Sequence, residues 1–255
     1  MLRWYSGRVL REFLLAIQFL TSLRVTTTVP FDAPSFRRAI GFFPLVGCSL
    51  GVLVWGGDML LQQVCPLSLR NVIVVGLLAI LSRGLHLDGL ADSADGLLGG
   101  SDRQRSLEIM KDSRIGTFGT LAVLFVLVLK IRSLDLLVGD GRIAGLVLGP
   151  MLSRWAYVVM AYRAVPARPD GLGAIFMRNV SIHTVGWASV FAGLVAIVFG
   201  GIAGVLCLVF VAVIAYAALR YCTARLGGMT GDTFGATGEV IETLTFCWFA
   251  LSCSL

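Results

Sequence analysis

The chain has 255 residues, a mean hydropathy of +0.87 and only 14% charged side chains, where soluble globular chains carry about 25%. That composition excludes a soluble globular protein and predicts an all-α, polytopic helical bundle in a membrane, with residues 1–255 as a single transmembrane domain. The net charge of +6 comes from 21 Lys+Arg against 15 Asp+Glu; in a membrane chain such a surplus sets orientation and attracts anionic lipid or substrate, so no nucleic-acid partner is expected.

Arg3, Arg8 and Arg11 precede the first apolar run. No small-residue cleavage site follows and Arg24 interrupts the run, which argues against a cleaved signal peptide. Segment 12–29 reads as an interfacial helix, a re-entrant piece or an eighth span. Seven segments are long enough to cross lipid: 39–63, 71–97, 117–137, 143–162, 183–200, 202–219 and 236–253. In the third, Lys130 and Arg132 shorten the apolar stretch and must either snorkel outward or point into the bundle. The cysteines (Cys48, Cys65, Cys207, Cys222, Cys247 and Cys253) form no CxxC pair and read as small buried hydrophobes. With only His86 and His183 a zinc site is not expected.

Basic residues distribute by side. Arg37 and Arg38, the 98–116 loop, the 163–182 loop (Arg163, Arg168, Arg178) and the 220–235 loop (Arg220, Arg225) fall on one face, whereas the opposite loops hold little beyond Arg70 and Arg142. The positive-inside rule makes the first face cytoplasmic.

Within "GLHLDGLADSADGL", from Gly84 on, the helical repeat puts Asp92 about 40° and Asp95 about 20° to either side of Asp88, a stripe roughly 10 Å long. His86 falls on the other face and reads as a hydrogen-bonded structural residue. Three carboxylates without a neighbouring cation repel one another unless a cation sits among them. An oxygen-only donor set suits a hard ion, Mg²⁺ rather than zinc. On one unbroken span from Asn71, Asp88 would lie about 25 Å and Asp95 about 36 Å along the helix, at headgroup level.

The next stretch, "RQRSLEIMKDSRIGTFG", offers Lys111 and Arg114 as phosphate contacts, with Asp112 and Ser113 at the loop entrance; Glu108 reads equally as a solvated helix face. In the 163–182 loop, Arg163 is a minor substrate-loop candidate, and Asp170 reads first as a turn residue. A second acidic, glycine-rich passage, "RLGGMTGDTFGATGEVIE", carries Gly231, Asp232, Glu239 and Glu242. The helical repeat sets Glu239 within about 20° of Asp232 and Glu242 some 80° away. A glycine-rich turn ahead of a helix can present N–H groups to phosphate. Two such patches at one face suggest one shared site; the alternative is tight packing through small residues, which leaves the acids unexplained.

In order and spacing, "GLHLDGLADSADGL", "RSLEIMKDSRIGTFG", "GLG", "GGMTGDTFGATGE" and the early "FPLVG" resemble the cobalamin synthase family, the adenosylcobinamide-GDP ribazoletransferases, over nearly the whole chain. The resemblance implies a multi-pass, Mg²⁺-dependent catalytic domain in the bacterial cytoplasmic (inner) membrane, its site facing the cytoplasm. It implies transfer of the cobinamide phosphate of adenosylcobinamide-GDP to alpha-ribazole or its 5′-phosphate, with release of GMP. Asp88, Asp92 and Asp95 would then hold the metal, and Arg114, with Lys111, a phosphate. Asp232 or Glu239 would serve as the base. Membrane lipid is the expected surrounding; whether the chain forms a homo-oligomer stays open. Two alternatives remain. A CDP-alcohol-type phosphotransferase would need a second D-x-x-x-D and an Ala-Arg after the first cluster, neither of which is found. A cation transporter would favour isolated acids nearer mid-membrane.

Overall fold

The computed structural model describes residues 2–23, 33–169, 172–177 and 180–252. Residues 24–29 of the N-terminal apolar segment, Asp170, Arg178 and Cys253 lie outside the described residues. The architecture is a helical membrane bundle: α1 (Leu2–Leu20), α2 (Ala33–Ala39), α3 (Phe43–Leu61), α4 (Leu67–Leu81), α5 (Leu85–Gly99), α6 (Arg103–Ile109), α7 (Thr117–Leu136), α8 (Gly139–Arg163), α9 (Leu172–Met177), α10 (Ile182–Leu226) and α11 (Gly231–Ser252). Among the described residues four stretches are long and apolar enough to cross a membrane, Pro34–Leu61, Thr117–Leu136, Gly139–Arg163 and Ile182–Leu226; the bent pair α4–α5, taken as one span, makes a fifth. α11 is not among them, because Asp232, Glu239, Glu242 and its threonines dilute its apolar content.

One expected span is not straight. The segment read as 71–97 is broken into α4 and α5, which meet at 88°. Arg83 (φ 60°) and Gly84 (φ 64°) are both left-handed, which a continuing α-helix cannot tolerate. The depth inferred for the aspartates along one straight helix is therefore wrong: α5 leaves the axis of α4 before the first of them. The long α10 is broken at Gly201 (φ 54°, ψ −137°), near the boundary expected between 183–200 and 202–219. A Cβ on Gly204 would strike the Ala196 carbonyl oxygen, although eight residues of straight helix span about 12 Å. The chain thus doubles back, and the exposed Val190, Leu194, Val209 and Val213 leave both arms with apolar outer faces.

α8 forms the centre, buried along most of its length from Ala144 to Ala161. Against it α3 packs backbone to backbone: a Cβ on Gly51 would lie 2.6 Å from the Leu146 carbonyl oxygen. Such small-residue contacts suit a setting where lipid offers no hydrophobic drive for helices to associate. At one end of this pair a buried cluster closes the bundle. Arg142 donates to both oxygens of Asp58 (2.7 and 2.6 Å), to Asn71 (2.7 Å) and to the Leu134 carbonyl (2.9 Å).

The opposite end is knit from loops. Arg103 donates to the carbonyls of Leu226 (2.7 Å) and Ala167 (3.0 Å), Arg225 to that of Gly100 (2.5 Å) and Arg168 to that of Leu107 (3.0 Å). Val165–Ala167 and Met229 exchange two backbone bonds of 2.8 Å. The loops around 98–116, 163–169 and 226–230 therefore share one face.

Gly51→Leu should push α3 off α8 and lower thermal stability in detergent by about 1–3 kcal/mol or more, as overpacking does. Gly56→Leu, on the same helix with nothing within 4 Å of an added Cβ, should be close to neutral in the same melting experiment.

Candidate active site

The first acidic stretch lies on α5, which begins where the left-handed Arg83–Gly84 turn releases the chain from α4. α11 begins beside it. Its N-terminus is capped reciprocally: the Thr230 N–H donates to the Thr233 hydroxyl oxygen (2.9 Å) and the Thr233 N–H to that of Thr230 (3.1 Å). The two helices touch at Gly89, where a Cβ would lie 2.8 Å from the Asp232 carbonyl oxygen and 3.1 Å from its Cα. Only a residue without a side chain permits that approach. It brings Asp232 to the aspartate stripe, and Asp88 and Asp232 line one cavity with Gly231 and Gly235. Asp92 is repelled by Asp88, Asp232 and Asp95 and attracted by Arg168.

Arg168 is the residue that sequence reasoning passed over. Its Nη1 stands 3.8 Å from Asp232, and its Nε is buried without a hydrogen-bond partner. A guanidinium beside Asp232 and Asp92 is placed to meet an anion brought to them. The sequence offered it only as one more basic loop residue; the bridge between Pro166 and Met229 puts it here.

Three sequence candidates sit differently from expectation. Asp95 is buried, and its two oxygens accept the N–H groups of Gly116 (2.6 Å) and Gly119 (2.9 Å). It caps α7, stabilising the positive end of that helix. Glu239 is buried and holds Lys130 at 2.5 Å; Glu242 holds the same ammonium at 2.7 Å and Arg154 at 2.7 Å. Glu239 is therefore an ion-pair partner in the helix interior, not an uncompensated acid. Arg114 is exposed and donates to both oxygens of Asp112 (2.7 to 3.2 Å). That contact holds the Asp112 carboxyl down to about 2, so the clasp stays ionised until pH falls toward that value.

Lys111 and Ser113 are exposed on the same loop. Arg163 lies over the Tyr162 ring, 5.6 Å from its centroid. His86 is buried, its Nδ1 3.3 Å from Arg154 and its ring 5.4 Å from that of Tyr157. Lys130 points inward while Arg132 stays exposed and pairs with Asp135 at 2.6 Å, so the two cations of α7 take opposite courses.

Among the described residues no three His, Cys, Asp or Glu side chains converge tightly enough to hold a metal ion by themselves. The oxygen donors on α5 nonetheless suit a hard cation that takes one or two carboxylates and completes its shell with water and substrate phosphate.

Fold and site together define a membrane-embedded helical protein with one acidic, glycine-lined site at the loop-knit end. The chain belongs to the cobalamin-5-phosphate synthase family, whose sequence pattern matches residues 12–250; it is a transferase of cobalamin synthesis. It is similar to the adenosylcobinamide-GDP ribazoletransferase of Syntrophobacter fumaroxidans, 41% identical over 237 residues, which covers 90% of this chain and 94% of that one. The protein of the same name from Roseiflexus sp. is 37% identical over 93% of this chain and 88% of its own. That from Pseudomonas putida (strain GB-1) is 39% identical over 94% and 98%. No solved structure matches the chain.

Lys130→Met should leave two buried glutamates short of a cation and cost about 3–5 kcal/mol, read as a large drop in melting temperature in detergent. Arg132→Met removes a cation from an exposed pair and should cost no more than about 1 kcal/mol.

Proposed function

We propose that this protein transfers the cobinamide phosphate of adenosylcobinamide-GDP to the ribose hydroxyl of alpha-ribazole, or of its 5′-phosphate. The products are GMP and adenosylcobalamin or its 5′-phosphate. One observation carries the reading to particular residues: the acids of α5 and α11 meet across Gly89, with Arg168 beside them. The names of the relatives supply the substrates.

The reaction exchanges the phosphoanhydride bond of the diphosphate for a phosphate ester bond. The ribose oxygen attacks the cobinamide-side phosphorus, the bond from that phosphorus to the GMP oxygen breaks, and the hydroxyl proton goes to a carboxylate. Asp232 is the better base, because it is half-buried beside the cavity while Glu239 is bound to Lys130. Arg168 would take the diphosphate with its guanidinium, whose Nη1 stands 3.8 Å from Asp232. Asp88 and Asp92 would hold Mg²⁺, which neutralises charge on the diphosphate when bound. Asp95 and the Asp112–Arg114 clasp shape the loop between α6 and α7, and Lys111 and Ser113, on that loop, would contact a substrate phosphate.

The membrane is the bacterial cytoplasmic (inner) membrane and the site faces the cytoplasm, a reading supported by the basic loops gathered at the site's end of the bundle.

Purified protein mixed with adenosylcobinamide-GDP and alpha-ribazole 5′-phosphate should release GMP, and only with Mg²⁺ present. Asp88→Asn and Asp92→Asn should lower turnover by about 100-fold or more. Asp232→Asn should lower turnover by about 100-fold while substrate affinity changes little. Normal turnover in all three variants would exclude this site.

A further inference from the structure

The cavity shared by Asp88 and Asp232 is unlike the acids at its rim. It measures about 170 Å³, and its walls are the rings of Phe19, Phe43, His86, Tyr157 and Phe234 with Leu20. The polarity is graded. Phe43 (0% exposed), Leu20 (2%), Tyr157 (4%) and Phe234 (5%) are buried, whereas Asp88 is exposed and Asp232 only half-buried. The apolar end therefore lies inward and the acid end outward. An apolar cavity of about 150 Å³ accommodates a benzene ring, so this one takes the inner ring of a flat bicyclic base.

The ring wall also holds two polar groups, the His86 imidazole and the Tyr157 hydroxyl, the latter buried without a hydrogen-bond partner. Arginine has donors only, so the His86 Nδ1 that faces an Arg154 nitrogen at 3.3 Å must be the acceptor. The proton then sits on Nε2, the one N–H donor of a ring that lines the cavity.

The geometry points to this cavity as the seat of the heterocyclic base of the ribazole nucleoside, its unsubstituted imidazole nitrogen accepting from His86 Nε2 and its ribose directed at Asp88 and Asp232. The inference rests on the reaction proposed above and adds which substrate lies where. Three arguments select this occupant. A benzimidazole-type base linked to ribose through one nitrogen keeps one ring nitrogen, an acceptor with no donor, which the His86 N–H can satisfy. Guanine brings several donors and acceptors that these rings could not satisfy, at a cost for each left unpaired. An acyl chain would fit the rings but would leave the His86 N–H without an acceptor. With the base inward, the sugar hydroxyl is delivered to the rim, beside the carboxylate assigned as base.

Equilibrium dialysis against the full-length protein in detergent tests this without turnover, using alpha-ribazole and an indole riboside in which the acceptor nitrogen is replaced by C–H. The wild type should bind alpha-ribazole saturably and about tenfold more tightly than the indole riboside, the loss of one hydrogen bond. His86→Phe keeps the ring and removes the donor, so it should bind both equally. Leu20→Trp should fill the cavity and abolish binding of both, while binding of adenosylcobinamide-GDP persists. Equal wild-type affinity for the two ribosides overturns the proposal, as does discrimination that survives His86→Phe. Undiminished alpha-ribazole binding in Leu20→Trp would do the same. The two readings fail separately: riboside binding as described without GMP release contradicts the reaction, and GMP release without the binding pattern contradicts the subsite.

Discussion

Charges inside a membrane bundle must be paired, and in this protein one buried cluster of four does that for three helices. Lys130 on α7, Arg154 on α8 and the two glutamates of α11 join through bonds of 2.5 to 2.7 Å. Two cations meet two anions, so the formal charge cancels. Removing any member leaves a charge in apolar surroundings, which is costly. The consequence for the site is positional. With α11 tied to α7 and α8, its N-terminus is carried to α5, and Arg154 reaches on to His86. The acids that face each other across Gly89 depend on helices locked about two to three turns deeper.

The site end and the far end are built by different means. Far from the site, Arg142 closes the bundle on Asp58 and Asn71 with little solvent access. At the site, arginines hold loops by their carbonyl oxygens and leave the carboxylates free of close cations apart from Arg168. An acidic centre with few cations of its own is suited to recruit charge from outside, as a diphosphate with a metal would bring. Asp95 shows the contrast within a single helix: one stripe supplies Asp88 to the opening and Asp95 to the N–H groups of the next helix.

Much of this was legible in the residues. Hydropathy gave the membrane class and most long helices, charge bias put the three loops on one face, and the Asp-Gly blocks gave the family. The break between α4 and α5 was not legible, because Arg83–Gly84 in an apolar run is a weak signal and a left-handed arginine is uncommon. Helical spacing put Asp95 on the aspartate stripe, and nothing in that spacing says which acids will be claimed by a neighbouring helix. Glu239 was misjudged for the same reason: its partner lies 109 residues earlier in sequence. A usable hint existed, since Lys130, Arg154, Glu239 and Glu242 are equal numbers of opposite charges placed within apolar stretches. Arg168 had none, as its place depends on a loop pairing of Pro166 with Met229.

The central claim is that the acids of α5 and α11 form one site. A double-mutant cycle on turnover with Asp92→Asn and Asp232→Asn measures this most directly, provided both variants keep the wild-type melting temperature. One shared site predicts strong non-additivity, with the double variant scarcely slower than the slower single one. Losses that multiply independently would mean that the two acids act in separate places, and would contradict the account.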